Sequence, residues 1–153
     1  MKQKYFLLVL LCSTICCSPL ISKVSSEYHI KLIYGNEIHT ASKEPFCFGF
    51  DAKLNISKLL YGKIDYKIFP NVMNVVVSSV GINANLSKKT KLFFEVGEGF
   101  FLLRSFFDGF HTIISSGIDF KLSEKFRTCV YYSRHLDSRI RENVFVEIKY
   151  SLK

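Results

Sequence analysis

An all-β fold is what this sequence predicts, specifically an eight-stranded antiparallel up-and-down transmembrane β-barrel, and three observations predict it. Apolar and polar residues alternate with period two in segments spread along the whole chain, each segment having one apolar and one mostly polar face. The segments number eight, an even count, and are joined alternately by short and longer connections. No segment after the first two dozen residues is continuously apolar for the roughly 20 residues that a helical span needs, so a membrane-embedded chain of this composition must close into a barrel.

The elements follow in order. Residues 1–22 read as a secretory signal peptide: Lys2 and Lys4 form a short positive region, Tyr5 to Cys17 is apolar, and Ser18, Pro19 and Ser22 follow. The barrel is expected over 27–153. Its strands are predicted at Glu27 to Tyr34, Phe46 to Ser57, Tyr61 to Phe69, Val75 to Leu86, Lys91 to Leu103, His111 to Leu122, Phe126 to Asp137 and Val144 to Leu152. Short connections fall at Lys58 to Leu60, Ser87 to Thr90 and Ser123 to Lys125. Longer ones fall at Gly35 to Pro45, Pro70 to Asn74, Arg104 to Phe110 and Ser138 to Asn143, the loop asymmetry of an outer-membrane barrel.

The second predicted strand shows the face assignment most sharply. Phe46, Phe48, Phe50, Ala52, Leu54 and Ile56 point one way; Cys47, Gly49, Asp51, Lys53, Asn55 and Ser57 point the other. A soluble barrel would turn the apolar set inward. The signal segment, the aromatics near strand ends (Phe46, Phe69, Phe106, Phe107, Tyr150) and alternation continuing almost to Lys153 favour the opposite orientation, with apolar residues against acyl chains and Asp, Lys and Arg paired in a small lumen. Localisation in the bacterial outer membrane follows from this reading. The final alternating strand also resembles the C-terminal signal that the barrel assembly machinery recognises.

Cys47 and Cys129, the two cysteines beyond the signal segment, are placed near opposite rims and are expected to remain thiols. Net charge is +8, with Lys and Arg near strand ends and turns rather than in one stripe with interleaved aromatics. That distribution suits anionic head groups or a solvated rim and argues against a nucleic-acid partner. His29, His39 and His111 are dispersed without metal-ligand spacing, so no metal or other cofactor is expected. Glu98 lies on the apolar parity of its strand between Gly97 and Gly99, where a glycine-associated bulge is expected to rotate it away from lipid.

The fifth strand carries a family resemblance. Leu92-Phe93-Phe94-Glu95-Val96-Gly97-Glu98-Gly99-Phe100-Phe101-Leu102-Leu103 resembles the Glu-x-Gly-x-Gly strand of the outer-membrane lipid A 3-O-deacylases, the PagL-like or acyloxyacyl-hydrolase-related barrels. Ile113 to Phe120 resembles their next glycine-containing strand. Tyr131 to Ser138, followed by Asn143, resembles the region of their His-x-Ser-Asn motif. The likeness covers roughly the C-terminal half.

The resemblance implies an enzyme that removes an ester-linked acyl chain from lipid A, with lipopolysaccharide as its partner. His135 would be the base, Ser138 the nucleophile and Glu147 the orienting acid. Asp137 stands where the motif has its nucleophile, and the hydroxyl comes one residue later at Ser138. The alternative of a different class is a non-enzymatic surface barrel of OmpX-like or opacity-like type, with a structural or host-interaction role. Either is expected to be a monomer or weak homodimer.

Overall fold

Eight strands close into one barrel. The computed structural model describes residues 24–35, 46–70, 73–103, 107–136 and 141–152; the expected signal segment lies outside them. The strands are β1 (Ser25–Gly35), β2 (Phe46–Asn55), β3 (Leu60–Phe69), β4 (Met73–Asn85), β5 (Thr90–Leu103), β6 (Phe107–Lys121), β7 (Phe126–His135) and β8 (Arg141–Ser151). Each pairs antiparallel with its sequence neighbours, and β8 closes on β1 from His29↔Ser151 to Gly35↔Phe145. No strand edge is left open along the wall, so the backbone groups bond within the sheet, the condition a lipid environment imposes.

Three short turns are built alike. Ser57, Ser87 and Ser123 each use the side-chain hydroxyl to accept hydrogen bonds from the backbone N–H groups two and three residues on, at 2.9–3.3 Å. In each, two successive N–H groups before the turn also donate to one carbonyl after it, such as Ile56 and Ser57 to Leu60 at 3.0 Å. The serine satisfies donors that the tight reversal removes from the ladder. A single apolar-Ser-x-x motif therefore makes β2–β3, β4–β5 and β6–β7 hairpins at one end of the barrel.

The polarity is inside out. Phe48, Phe50, Ile30, Ile64, Val146 and Ile148 stand exposed on the outer wall, Phe48 by 57%, while Lys31, Asp51, Asp65, Glu95, Glu147 and His135 are buried inside. A protein whose charges are in the middle and whose phenylalanines are outside has hydrocarbon around it. Aromatic pairs lie toward both ends of this wall: Tyr34 with Phe46 at 5.0 Å on the loop side, and Phe126 with Tyr150 at 5.3 Å on the short-turn side. They match the interfacial girdles of membrane barrels.

One detail departs from expectation and another agrees with it. The register of β5 runs unbroken through Glu98, which pairs with Ser78 on one side and Thr112 on the other; the irregularity comes later, between Phe100 and Leu102. Glu98 therefore stays on the outward parity instead of being rotated off it. Cys47 and Cys129 are not disulfide bonded, and the register explains the separation: the line Cys47, Ile33, Glu147, Cys129 crosses three strand-to-strand spacings, about 14 Å along the wall. That is beyond the reach of a disulfide.

Candidate functional site: the barrel lumen

The inward residues of the strands divide the lumen into two zones. Toward the short turns it is charged. Toward the loops it holds an apolar cluster of Ile33, Cys47, Phe69, Val75, Ile113, Tyr131 and Phe145, with Val77 and Phe93 packed against it. The zones arise because the inward parity of β1 to β3 and β8 changes from Lys, Asp and Glu to Ile, Cys and Phe as the chain nears the loop end.

Lys31 is the hub of the charged zone. Its side chain is fully buried, and its Nζ lies 2.5 Å from Asp65, 3.5 Å from Asp51 and 3.5 Å from Glu147. One ammonium faces three carboxylates, and two of the three, Asp51 and Glu147, have further partners. The imidazole Nδ1 of His29 lies 2.8 Å from Asp51. Glu147 accepts from the Tyr131 hydroxyl at 2.9 Å and pairs with Lys149 at 3.3 Å. Lys149 continues to Asp119 at 3.8 Å, and Asp119 is held by the Arg127 guanidinium at 2.6 Å.

A second cluster sits beside the first. Glu95 accepts from the Tyr61 hydroxyl at 2.7 Å through one oxygen and from Lys63 at 2.5 Å through the other. Lys53 lies 3.6 Å above the Tyr61 ring, a cation over a π face. Gly81 makes this possible: a Cβ there would stand 2.6 Å from the Tyr61 ring edge and hydroxyl. Lys67 donates to the Tyr131 hydroxyl at 3.0 Å and lies 4.6 Å from the Phe145 ring, joining the charged zone to the apolar one. Buried charges in such numbers are tolerable only when paired and hydrogen bonded, and here they are.

Two cavities of about 30 Å³ lie in the lumen, each enough for about a single water, and both are bordered by Lys63, Phe93, Glu95 and Lys149. Those four side chains form the partition between them. Among the described residues no cluster of three or more His, Cys, Asp or Glu has the arrangement of a metal site.

Of the expected catalytic residues, His135 and Glu147 are among the described ones, and they stand apart on the lumen wall. His135 is 2% exposed and faces the lumen at the loop end of β7, its ring 6.1 Å from that of His111 and its strand neighbour Ser133 accepting a hydrogen bond from Ser115 at 3.2 Å. The β8 residue opposite His135 is Arg141, whereas Glu147 is opposite Cys129. Six residues of strand, about 20 Å, therefore separate His135 from Glu147. Ser138 and Asp137 lie outside the described residues. The sequence identified the lumen parity of His135 and Glu147 but not their separation, and it did not single out Lys31, Tyr61 or Tyr131, whose partners are remote in sequence.

No protein-family model matches the sequence. No curated protein matches it either. Solved structures do match, at the level of fold. The chain is similar to the N-terminal β-barrel domain of Pseudomonas aeruginosa OprF, with a TM-score of 0.62 at 8% identity, covering 85% of this chain and 100% of that one. It is also similar to a de novo designed transmembrane β-barrel, with a TM-score of 0.61 at 13% identity over 82% of this chain and 95% of that one. The outer-membrane protein Ail of Yersinia pestis in a phospholipid nanodisc gives 0.51 at 13% identity, over 84% of this chain and 100% of that one. Closure, strand count and inside-out polarity agree with these likenesses: the fold is that of the small transmembrane β-barrels of bacterial outer membranes.

Proposed function

We propose that this protein is a non-enzymatic small barrel of the bacterial outer membrane, with a structural or surface-contact role. The observation that carries this reading is the filled lumen. A salt-bridge network occupies the short-turn half, an apolar cluster occupies the loop half, and two cavities found between them among the described residues are about 30 Å³ each. Such an interior conducts neither ions nor solutes, and it stiffens the cylinder that holds the four longer connections at one end. In planar bilayers the protein is expected to give no porin-like conductance; stable channels would overturn the reading.

The finer alternative is lipid A 3-O-deacylation, supported by the sequence resemblance around Glu95 to Gly99 and His135. An esterase acting on an outer-leaflet lipid needs its base at the lipid-facing wall, and His135 is turned away from that wall with Glu147 remote from it. Lipid A mass spectrometry on a Gram-negative host expressing the protein decides between the two. Unchanged lipid A is expected with both the intact chain and His135→Ala. Loss of one hydroxyacyl mass with the intact chain alone would establish the deacylase and its base.

A further inference from the structure

The short-turn end of the barrel carries one sign of charge. Lys58, Lys88, Lys89 and Lys125 are exposed there and form no ion pair among the described residues. Glu124 is the one acid in the three short turns, and it is held 2.7 Å from Lys121. The acids of the neighbouring strand ends are engaged in the lumen: Glu27 accepts from Asn55 at 2.9 Å, and Asp119 pairs with Arg127 at 2.6 Å. In the sequence the longer connections are balanced by contrast, with Lys43, Arg104, Arg139 and Arg141 against Glu37, Glu44, Asp108 and Glu142. An excess of cations therefore distinguishes the short turns.

The same turns are apolar where they leave the wall. Leu86 and Leu122, each just before a turn serine, are exposed by 61% and 62%, and Leu59 inside the first turn by 61%. Hydrocarbon is thus expected to reach the first residue of each turn. At roughly 3 Å per residue, the one or two residues beyond carry the chain only into the head-group layer. Lysine stems suit that height, because they lie along an apolar edge and lift the ammonium to the phosphates. The backbones of these turns are also fixed. The carbonyls of Leu59, Lys89 and Lys125 each accept from the strand after the hairpin, at Asn83, Lys121 and Ser151, over 2.7, 2.7 and 2.8 Å. A collar held in this way gives up little backbone freedom when it binds an anion.

We propose that this rim is a binding surface for anionic phospholipid head groups in the leaflet on the short-turn side, the periplasmic leaflet in the orientation of outer-membrane barrels. Lysines beside a membrane surface attract anionic lipids additively, and the exposed lysines of the three turns outnumber the one acid, which already has a partner. Lys88 and Lys89, adjacent in the β4–β5 turn, are the densest positive point. The leucines decide for a lipid over a soluble acidic partner. A soluble partner needs charge that projects past the head groups, whereas turns this short keep the ammonium groups beside the acyl chains. The surface is separate from the lumen and does not depend on what the lumen does.

Electron spin resonance of chain-labelled lipids tests this with the mature chain in phosphatidylcholine vesicles, where lipid in contact with the barrel is motionally restricted. Heat-modifiable gel mobility confirms that every variant folds. Spin-labelled phosphatidylglycerol is expected to associate about threefold more strongly than spin-labelled phosphatidylcholine, and molar salt should remove the difference. Replacing Lys58, Lys88, Lys89 and Lys125 together by Gln should abolish the preference, while Lys88→Gln with Lys89→Gln alone should lower it in part. Lys43→Gln with Arg104→Gln, in the longer connections, should leave it unchanged. Equal association of the two lipids with the intact chain would overturn the proposal and leave the collar to a soluble acidic partner. A preference that survives the fourfold replacement, or that is lost with Lys43→Gln and Arg104→Gln, would overturn it as well by placing the anionic lipid elsewhere on the barrel.

Discussion

Replacing Lys31 by Met removes the central cation of the lumen while keeping the length of the side chain. Three carboxylates then remain within the space that one ammonium neutralised, the nearest of them 2.5 Å from the lost charge. Lys149 still serves Glu147 at 3.3 Å, and His29 still lies against Asp51 at 2.8 Å, but Asp65 has no other cation among its described contacts. Removing one member of a buried pair costs about 3–5 kcal/mol, because what is left is an uncompensated charge. The loss should fall in that range, read by urea unfolding of the mature chain in lipid bilayers followed by far-ultraviolet circular dichroism. Adding Asp65→Asn should recover a substantial part of it, since the two residues are in contact and their effects are not independent. Lys121→Met, which breaks the ion pair with Glu124 on the surface of a turn, should leave the unfolding midpoint unchanged. A Lys31→Met loss below about 1 kcal/mol, the range of an exposed pair, would refute the view that the network is desolvated and coupled.

Other consequences follow from the same geometry. Tyr61→Phe takes one of two donors from Glu95 and should cost about 1–3 kcal/mol in the same unfolding experiment. Gly81→Val places side-chain carbon where the Tyr61 ring stands and should cost a further 1–3 kcal/mol or so by overpacking, with the loss reduced when Tyr61→Ala is added. Val146→Arg puts a cation in the lipid-facing wall of β8 and should destabilise the inserted barrel by about 2–4 kcal/mol, whereas Leu59→Arg in a short turn should be nearly neutral. Both thiols are buried, so maleimide should modify Cys47 and Cys129 in urea and leave them untouched in the folded barrel.

Much of this architecture was legible in the sequence. Period-two alternation is a local property of each strand, so the predicted boundaries stand within a few residues of β1 to β8, and the faces of β2 hold position by position from Phe46 to Leu54. The short connections were legible too, because an apolar-Ser-x-x turn closes over four residues. The identity of the lumen partners was not. Lys31 finds Glu147 across 116 residues of chain, and nothing local to either encodes that meeting. It depends on the register at which β8 closes on β1, a global property of the barrel. The same reason separates His135 from Glu147: both have lumen parity, but parity gives the face and not the height. Glu98 shows the converse error. Glycines on both sides suggested a bulge, yet Gly97 continues the ladder, where a Cβ would stand 2.4 Å from the Ser78 carbonyl oxygen of β4, and the irregularity waits until the pair Phe100 and Leu102, nearer the loop where the ladder is ending.

Nitroxide accessibility along β8 tests the inside-out barrel most directly. With single spin labels at successive positions from Val144 to Tyr150 in phospholipid vesicles, oxygen collision should be high and a water-soluble nickel reagent excluded at Val144, Val146, Ile148 and Tyr150. At Phe145, Glu147 and Lys149 both reagents should be nearly excluded, giving a period of two. High oxygen accessibility at Phe145, Glu147 and Lys149 instead, or free access of the nickel reagent to Val146 and Ile148, would contradict the account.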